Sequence, residues 1–305
     1  MFKNNKSITP FGIKIESYLR VKGIPYEMVY TSKFGPKGKI PYIHLVTETK
    51  TEGGDKGGSI DEKQVEVIPD SNVIITRLEE EFGTKEDFLS NKEKAMGHAI
   101  TRMLDEHTAP IGFYYRYTLH MQDFMQVLQI PTNLFSADVS RKGAFIAKMF
   151  AKFMPKGYMK KMKMRGLAGH SDQELWTFSN DDLKAISIYL DDNKYFFGRD
   201  HATAIDCVIF AHLSQFVYIP LSKPFPQLAF IKEECPNLLS FMERFKSQYW
   251  PDWETKCQRQ LNQQCVGDNN NGKTSGRRRI TSMSKFCSSA LVVTGFAILV
   301  QRYLL

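Results

Sequence analysis

An acid and a hydroxyl stand together at a predicted helix start and are the residues of this sequence best suited to chemistry. Asp70 and Ser71 directly precede an apolar run with helical spacing at residues 73–78, which predicts the buried face of a helix, and Gly83 follows that run. Either side chain can cap a helix by accepting a hydrogen bond from a backbone N–H of the first turn. A hydroxyl beside free N–H groups at a helix N-terminus also suits a carboxylate ligand. The sequence therefore predicts a capped helix and leaves anion binding open.

One helix and two strands precede this pair and must position it. Apolar residues recur at helical spacing from Pro10 to Lys22, with Thr9 as the predicted cap and Gly23 as the stop. Residues 26–30 and 40–46 are rich in aromatic and β-branched side chains and predict strands. The N-terminal third of the chain is therefore expected to mix helix and sheet.

Five short motifs carry a family resemblance, and they lie at residues 10–20, 23–27, 36–43, 169–171 and 197–206. Their order and spacing resemble the failed axon connections (FAX) family, which belongs to the glutathione transferase-like superfamily and is related to the metaxins. The resemblance implies an α/β plus all-α fold.

The same resemblance implies the domain boundaries. A thioredoxin-like domain is expected over residues 1–83 and an all-helical domain, like the C-terminal half of glutathione transferases, over residues 90–253. In such a sheet the first strand lies between the second and third, and residues 1–6 are too polar to provide it. We therefore expect the first strand to be missing, because the N-terminus is incomplete or because the sheet is damaged.

The resemblance also implies a glutathione site. Pro41 would be a cis-proline, the backbone of Ile40 would contact the cysteinyl part of the peptide, and Asp70 with Ser71 would receive its γ-glutamyl end. Thr9 is a candidate for assisting the thiolate, and the alternative is the simpler role of a helix cap. Redox relatives carry cysteine at the first and fourth places of the Thr9-Pro10-Phe11-Gly12 motif. This chain has neither, which excludes disulfide chemistry there.

The second half of the chain contains a basic segment, an aromatic run and a predicted helix cap. The first two have both a functional and a structural interpretation, and the third has only a structural one. Residues 141–165 contain nine Lys and Arg residues, many apolar residues and no acidic residue. They form an amphipathic segment that is predicted to be interrupted near Pro155. Such a segment can bind an anionic membrane surface, or it can be a helix that packs on the domain with its lysines in water. The aromatic run 113–117 could line a hydrophobic pocket, although a core role is the default. Thr203 and Asp206 predict the cap of an apolar helix.

The C-terminal residues change in composition. Residues 254–285 are rich in Gln, Asn, Gly and Arg and predict a disordered basic linker. Phe286 to Val300 is uninterrupted by charge, so residues 286–303 predict a transmembrane tail anchor, short for a bilayer and flanked by Lys285 and Arg302. We expect a single-pass membrane protein whose folded domains face the cytoplasm, located in the mitochondrial outer membrane or the endoplasmic reticulum.

Composition limits the function classes. A net charge of +8 on 305 residues, unevenly spread, predicts local anionic contacts and no nucleic-acid partner. Five scattered cysteines and the spacing of the histidines predict no metal site.

Two functions are therefore open, neither with a required cofactor. The favoured one is a membrane-anchored protein that acts by binding, with glutathione as a candidate ligand, an unidentified protein partner, and a role in axon development or organelle membranes. The alternative is a glutathione transferase that conjugates hydrophobic electrophiles.

Overall fold

The computed structural model describes residues 9–31, 35–51, 60–127, 141–254 and 295–302. An α/β region contains α1 (Pro10–Val21), β1 (Tyr26–Thr31), β2 (Tyr42–Thr51), β3 (Ile60–Pro69), α2 (Ser71–Phe82) and β4 (Gly295–Arg302). A helical region contains α3 (Asn91–Met103), α4 (Ala109–Tyr114), α5 (Met121–Val127), α6 (Arg141–Met164), α7 (Asp172–Leu190), α8 (Ala204–Val217), α9 (Pro226–Glu234) and α10 (Pro236–Tyr249).

Helix α1 joins the two regions. Thr9 caps it, since the hydroxyl accepts a hydrogen bond from Gly12 N at 3.4 Å, and Pro10 occupies its first position. Its side chains are buried from Ile13 to Leu19 because the helix packs against α8 and α10 of the helical region and against α2 of the α/β region. A single hydrophobic core therefore runs through both regions.

The sheet has the strand order β1-β4-β2-β3. Strand β4 lies in the centre, antiparallel to β1 and parallel to β2, so that Ile298 is opposite Met28 on one side and Ile43 on the other. The expected gap between β1 and β2 is thus filled, and the prediction of a sheet without this strand is wrong for the described residues. An apolar, β-branched segment can fill the gap because it provides the buried ladder groups of both neighbours with hydrogen-bond partners.

The presence of β4 also shows that the prediction of a membrane anchor is wrong for residues 295–302. Residues 295–302 form β4 and not a transmembrane helix. No helix within the described ranges has both the length and the apolar character needed to cross a membrane. Residues 286–294 and 303 of the predicted anchor, and all of the predicted linker 254–285 except residue 254, lie outside the described residues.

Helix α6 runs without a break through Pro155, so the predicted interruption there is wrong. A proline removes one backbone hydrogen bond from a helix. Packing holds the C-terminal turns in place, because Tyr158 and Met162 are buried and the Tyr158 hydroxyl donates to Pro110 O at 3.0 Å.

The predicted cap of α8 is confirmed. The Oδ2 atom of Asp206 accepts from Thr203 N at 2.8 Å and from Thr203 Oγ1 at 2.7 Å. Its Oδ1 atom accepts from Phe196 N at 2.9 Å, which ties the preceding turn to the helix. Asp206 is fully buried, so these donors have no access to water as a substitute.

Replacing Asp206 by alanine is expected to lower the free energy of unfolding by about 2–4 kcal/mol, because it removes a cap and leaves buried N–H groups without acceptors. Urea denaturation followed by tryptophan fluorescence measures the loss. Asp200→Ala is the matched control, since Asp200 is exposed and only a few residues away. Equal stability of the two variants would show that Asp206 does not stabilise α8.

Candidate functional site

A cleft of about 640 Å³ opens between the α/β and helical regions. Its α/β wall consists of the start of α1, the segment before β2 and the start of α2, and it includes Phe11, Lys39, Ile40, Asp70, Ser71, Asn72 and Val73. Its helical wall includes Arg102, Asp105, Glu106, Pro110, Phe113, Tyr158, Lys161 and Arg165.

Three of the predicted site residues meet in this cleft. Ile40, Asp70 and Ser71 line it, and Pro41 follows Ile40 through a cis peptide bond. The cis form of Ile40-Pro41 is therefore confirmed. A cis X-Pro bond is uncommon and needs the surrounding structure to hold it, which fits the burial of Pro41 beside β2.

The start of α2 separates the roles of the two neighbours Asp70 and Ser71. Asp70 is the cap, because its Oδ1 atom accepts from Asn72 N at 3.1 Å, and its backbone has a positive φ of 75°. Lys39 Nζ lies 3.4 Å from Asp70 Oδ2. Ser71 is the first residue of the helix and is 5% exposed at the cleft. Val73, predicted on the buried face of α2, is 53% exposed instead.

Thr9 does not line the cleft. Its hydroxyl caps α1, which is the simpler of its two predicted roles. The first turn of α1 presents the ring of Phe11 to the cleft instead, 6.1 Å from the ring of Phe113 and 5.8 Å from that of His212. Sequence reasoning missed Phe11 because nothing in the motif distinguishes a core ring from one at a cleft.

A buried polar network forms the base of the cleft and was also missed. Lys14 Nζ donates to Asn72 Oδ1 at 2.7 Å and to Asp105 Oδ2 at 3.2 Å. The Oδ1 atom of Asp105 lies 2.8 Å from His212 Nε2. Lys14 and Asn72 belong to the α/β region, whereas Asp105 and His212 belong to the helical region. We call these four residues the interdomain network.

The surroundings set the ionisation of this network. Burial alone would raise the pKa of Asp105, but the hydrogen bond with His212 and the charge of Lys14 outweigh it and hold that pKa well below its usual range. Burial lowers the pKa of Lys14 and of His212, against the opposing effect of Asp105. The network therefore contains a firmly ionised carboxylate, held by donors from both regions.

The helical wall of the cleft is rich in cations. Arg165 Nη1 lies 2.9 Å from Glu106 Oε2, and Arg102 Nη1 lies 3.6 Å from Glu106 Oε1. Lys161 also lines this wall, as do the aromatic residues Phe113 and Tyr158. Such a wall suits a ligand that carries both a negative charge and an apolar group.

The aromatic run 113–117 divides between the two roles considered for it. Phe113 lines the cleft, while Tyr115 is buried in the core and its hydroxyl donates to Pro224 O at 3.0 Å. Arg116 is fully buried, with its guanidinium 4.8 Å from the centre of the Phe113 ring.

Among the described residues no group of three His, Cys, Asp or Glu side chains is placed to hold a metal ion.

Two family models match the chain. The glutathione S-transferase N-terminal domain model matches residues 10–123, and the glutathione S-transferase C-terminal domain model matches residues 179–245. The first match includes the cis-proline and the start of α2, and the second includes α8 and its cap.

Three curated proteins are similar to the chain. Failed axon connections of Drosophila melanogaster is 30% identical over 264 residues, which is 82% of this chain and 56% of that protein. Isoprene-epoxide–glutathione S-transferase of Rhodococcus sp. (strain AD45) is 25% identical over 79% of this chain and 93% of that enzyme. A Metaxin-1 homolog of Caenorhabditis briggsae is 35% identical over 33% of this chain and 31% of that protein.

The chain therefore spans a little over half the length of its Drosophila relative. The paired domain matches agree with the observed order of an α/β region followed by helices. These two domain matches show that the chain belongs to the glutathione S-transferase-like superfamily, and within it the chain is similar to Failed axon connections and, over a third of its length, to a metaxin.

Proposed function

We propose that this protein binds glutathione, or a related γ-glutamyl peptide, in the cleft and acts mainly through that binding. The observation that supports this most directly is that Ile40, which precedes Pro41, lines the same cleft as Asp70 and Ser71. These groups come from separate parts of the α/β region and have complementary chemistry for a peptide ligand.

Each group has a distinct part in holding the peptide. The backbone of Ile40, next to a cis bond at the cleft, offers a donor and an acceptor to an extended peptide. Asp70 attracts the ammonium of a γ-glutamyl group, while the Ser71 hydroxyl and the N-terminus of α2 suit its carboxylate. On the opposite wall Lys161 and Arg165 suit a second carboxylate.

Binding is favoured over turnover by the first turn of α1. A transferase must stabilise the glutathione thiolate, and a hydroxyl or thiol at this position does so by donating a hydrogen bond. Here the Thr9 hydroxyl serves as the helix cap and does not line the cleft, and Phe11 presents a ring with no polar hydrogen.

The alternative is a glutathione transferase that conjugates hydrophobic electrophiles. Two observations favour it. The rings of Phe11, Phe113 and Tyr158 line the same cleft as the proposed peptide site. A relative matched over 93% of its length is named an isoprene-epoxide–glutathione S-transferase.

A role in axon development is a further part of the proposal. It is supported by the name of the Drosophila relative, and it concerns a protein of which this chain spans 56%. An unidentified protein partner at this chain's surface would be needed for such a role, since the cleft accounts only for a small ligand.

Titration calorimetry with glutathione tests the proposed site. Ser71→Ala is expected to weaken binding about tenfold, because it removes a hydrogen bond to a charged group. The control is Ser240→Ala, a serine exposed on α10 and outside the cleft. Absence of glutathione binding by the wild type, or equal affinity of both variants, would contradict the proposal. Steady conjugation of 1-chloro-2,4-dinitrobenzene, abolished by Ser71→Ala, would favour the transferase.

A further inference from the structure

Helix α6 has an outer face that combines basic and apolar side chains. Tyr158 and Met162 are buried on its inner side. At 100° per residue, the opposite side carries four lysines and three apolar residues. They are exposed and comprise Lys152, Lys156, Lys160, Lys163, Met149, Phe153 and Met164. We call these seven residues the α6 outer face.

The apolar members of this face are unusually exposed. Phe153 is 51% exposed and Met164 is 79% exposed. Apolar area in contact with water is unfavourable in proportion to its size. The Lys152 ammonium lies 5.8 Å from the centre of the Phe153 ring, so charge and ring are next to each other. This arrangement suits an environment that solvates the lysine charges and also covers the apolar side chains.

The positive charge of the face has little compensation nearby. Helix α6 contains no acidic residue from Arg141 to Met164. Within the described ranges, the ion pairs found on this side of the molecule involve Arg165 and Glu106 and none of the four lysines. The face therefore presents a cationic field to solvent.

We propose that the α6 outer face docks on the surface of an anionic lipid bilayer, with the helix lying flat. A bilayer interface supplies phosphate and carboxylate groups for the lysines and an apolar layer for Phe153 and Met164. A nucleic acid would neutralise the lysines but leave the apolar side chains in water. An apolar protein groove would cover the side chains but leave the lysines without counter-charges. This inference does not depend on ligand binding in the cleft.

Sedimentation of the full chain with vesicles tests the proposal. Vesicles of phosphatidylcholine with 30% phosphatidylserine are expected to bind at least tenfold more protein than pure phosphatidylcholine at equal lipid. Each lysine near an anionic surface contributes about fivefold to the partition coefficient. The quadruple variant Lys152→Gln, Lys156→Gln, Lys160→Gln and Lys163→Gln should therefore lose about a hundredfold or more. Its control replaces the same number of exposed lysines elsewhere, by Lys85→Gln, Lys92→Gln, Lys223→Gln and Lys232→Gln.

The apolar contribution has its own matched pair. Phe153 and Phe88 are both 51% exposed, and Phe88 lies outside α6. Phe153→Gln is expected to weaken vesicle binding several-fold, whereas Phe88→Gln should leave it unchanged. In addition, the emission of Phe153→Trp should shift to the blue on vesicle addition.

Three outcomes would overturn the proposal. They are no preference for phosphatidylserine vesicles, equal losses in the two quadruple variants, and wild-type binding by Phe153→Gln. Wild-type binding by Phe153→Gln would identify the face as a general polyanion site, because insertion into a bilayer depends on the apolar ring of Phe153 whereas binding to a polyanion does not. Circular dichroism of each variant establishes that its fold is intact, which is expected because all the substituted side chains are exposed.

Discussion

Replacing Asp105 by alanine is expected to lower the free energy of unfolding by about 3–5 kcal/mol, the typical effect of removing one partner from a buried ion pair. Asp105 is the acceptor that joins Lys14 of the α/β region to His212 of the helical region. Both partners are fully buried, so water cannot replace the lost carboxylate. Urea denaturation at pH 7, followed by tryptophan fluorescence, measures the change.

Acidification should weaken the same network. The folded-state pKa values of Asp105 and His212 are both below their ordinary values. A lowered pKa means that the unfolded chain takes up protons first, so the stabilisation is complete above the unfolded-state pKa and is lost as the pH falls towards the folded-state pKa. The loss should begin near pH 6.5 with His212 and continue below about pH 4 with Asp105. The difference between the wild type and Asp105→Ala should shrink only below about pH 4, because the variant also loses stability through His212 and lacks the carboxylate that raises the pKa of that residue.

The control for both measurements is Asp87→Ala. The side chain of Asp87 is 84% exposed, and its contact with Lys94 is 3.6 Å long, so its removal should change stability by less than about 0.5 kcal/mol. If Asp105→Ala lost no more stability than this control, the interdomain network would not hold the two regions together.

Ile298→Pro is expected to have the second large effect, a loss of about 3 kcal/mol or more, because a proline in a central strand removes a ladder hydrogen bond and its ring obstructs pairing. Residue 298 lies opposite Met28 in β1 and Ile43 in β2. Strand β1 pairs with β4 in the described sheet, so disrupting β4 separates β1 from β2.

Hydrogen exchange provides the specific measurement for this strand. Amides of residues 26–31 and 42–47 should lose protection in Ile298→Pro, while those of α8 should keep most of theirs. Ile298→Val retains the backbone N–H and the β-branched side chain and should behave like the wild type. Unchanged protection of β1 in the proline variant would mean that the C-terminal segment does not pair with the sheet.

The elements found correctly from the sequence depend on neighbours within a few residues. The cap of α1 by Thr9 and of α8 by Asp206 requires a side-chain oxygen and N–H groups two or three positions away. The helix start at Asp70-Ser71 follows the same rule, and the family resemblance added the cis form of Ile40-Pro41. Ile40, Asp70 and Ser71 lie in the α/β wall of the cleft, so this part of the candidate site could be predicted.

The remaining features join residues that are far apart in the chain. A hydrophobic run such as 286–300 has the composition of a membrane helix and equally that of a central strand. Periodicity could not choose between them, because the choice depends on the unpaired edges of β1 and β2 that only the assembled sheet presents.

The sequence by itself determined helices α1, α2 and α8 with their caps, the order of the two regions and the superfamily to which the chain belongs. The tertiary structure alone decided that β4 fills the sheet and that Lys14 meets Asp105, 91 positions away, and through it His212, a further 107 positions along the chain. The physical reason is that local hydrogen bonding and periodicity act over a turn or two of chain. Pairing of buried charges and of strand edges is specified only when the whole chain brings them together.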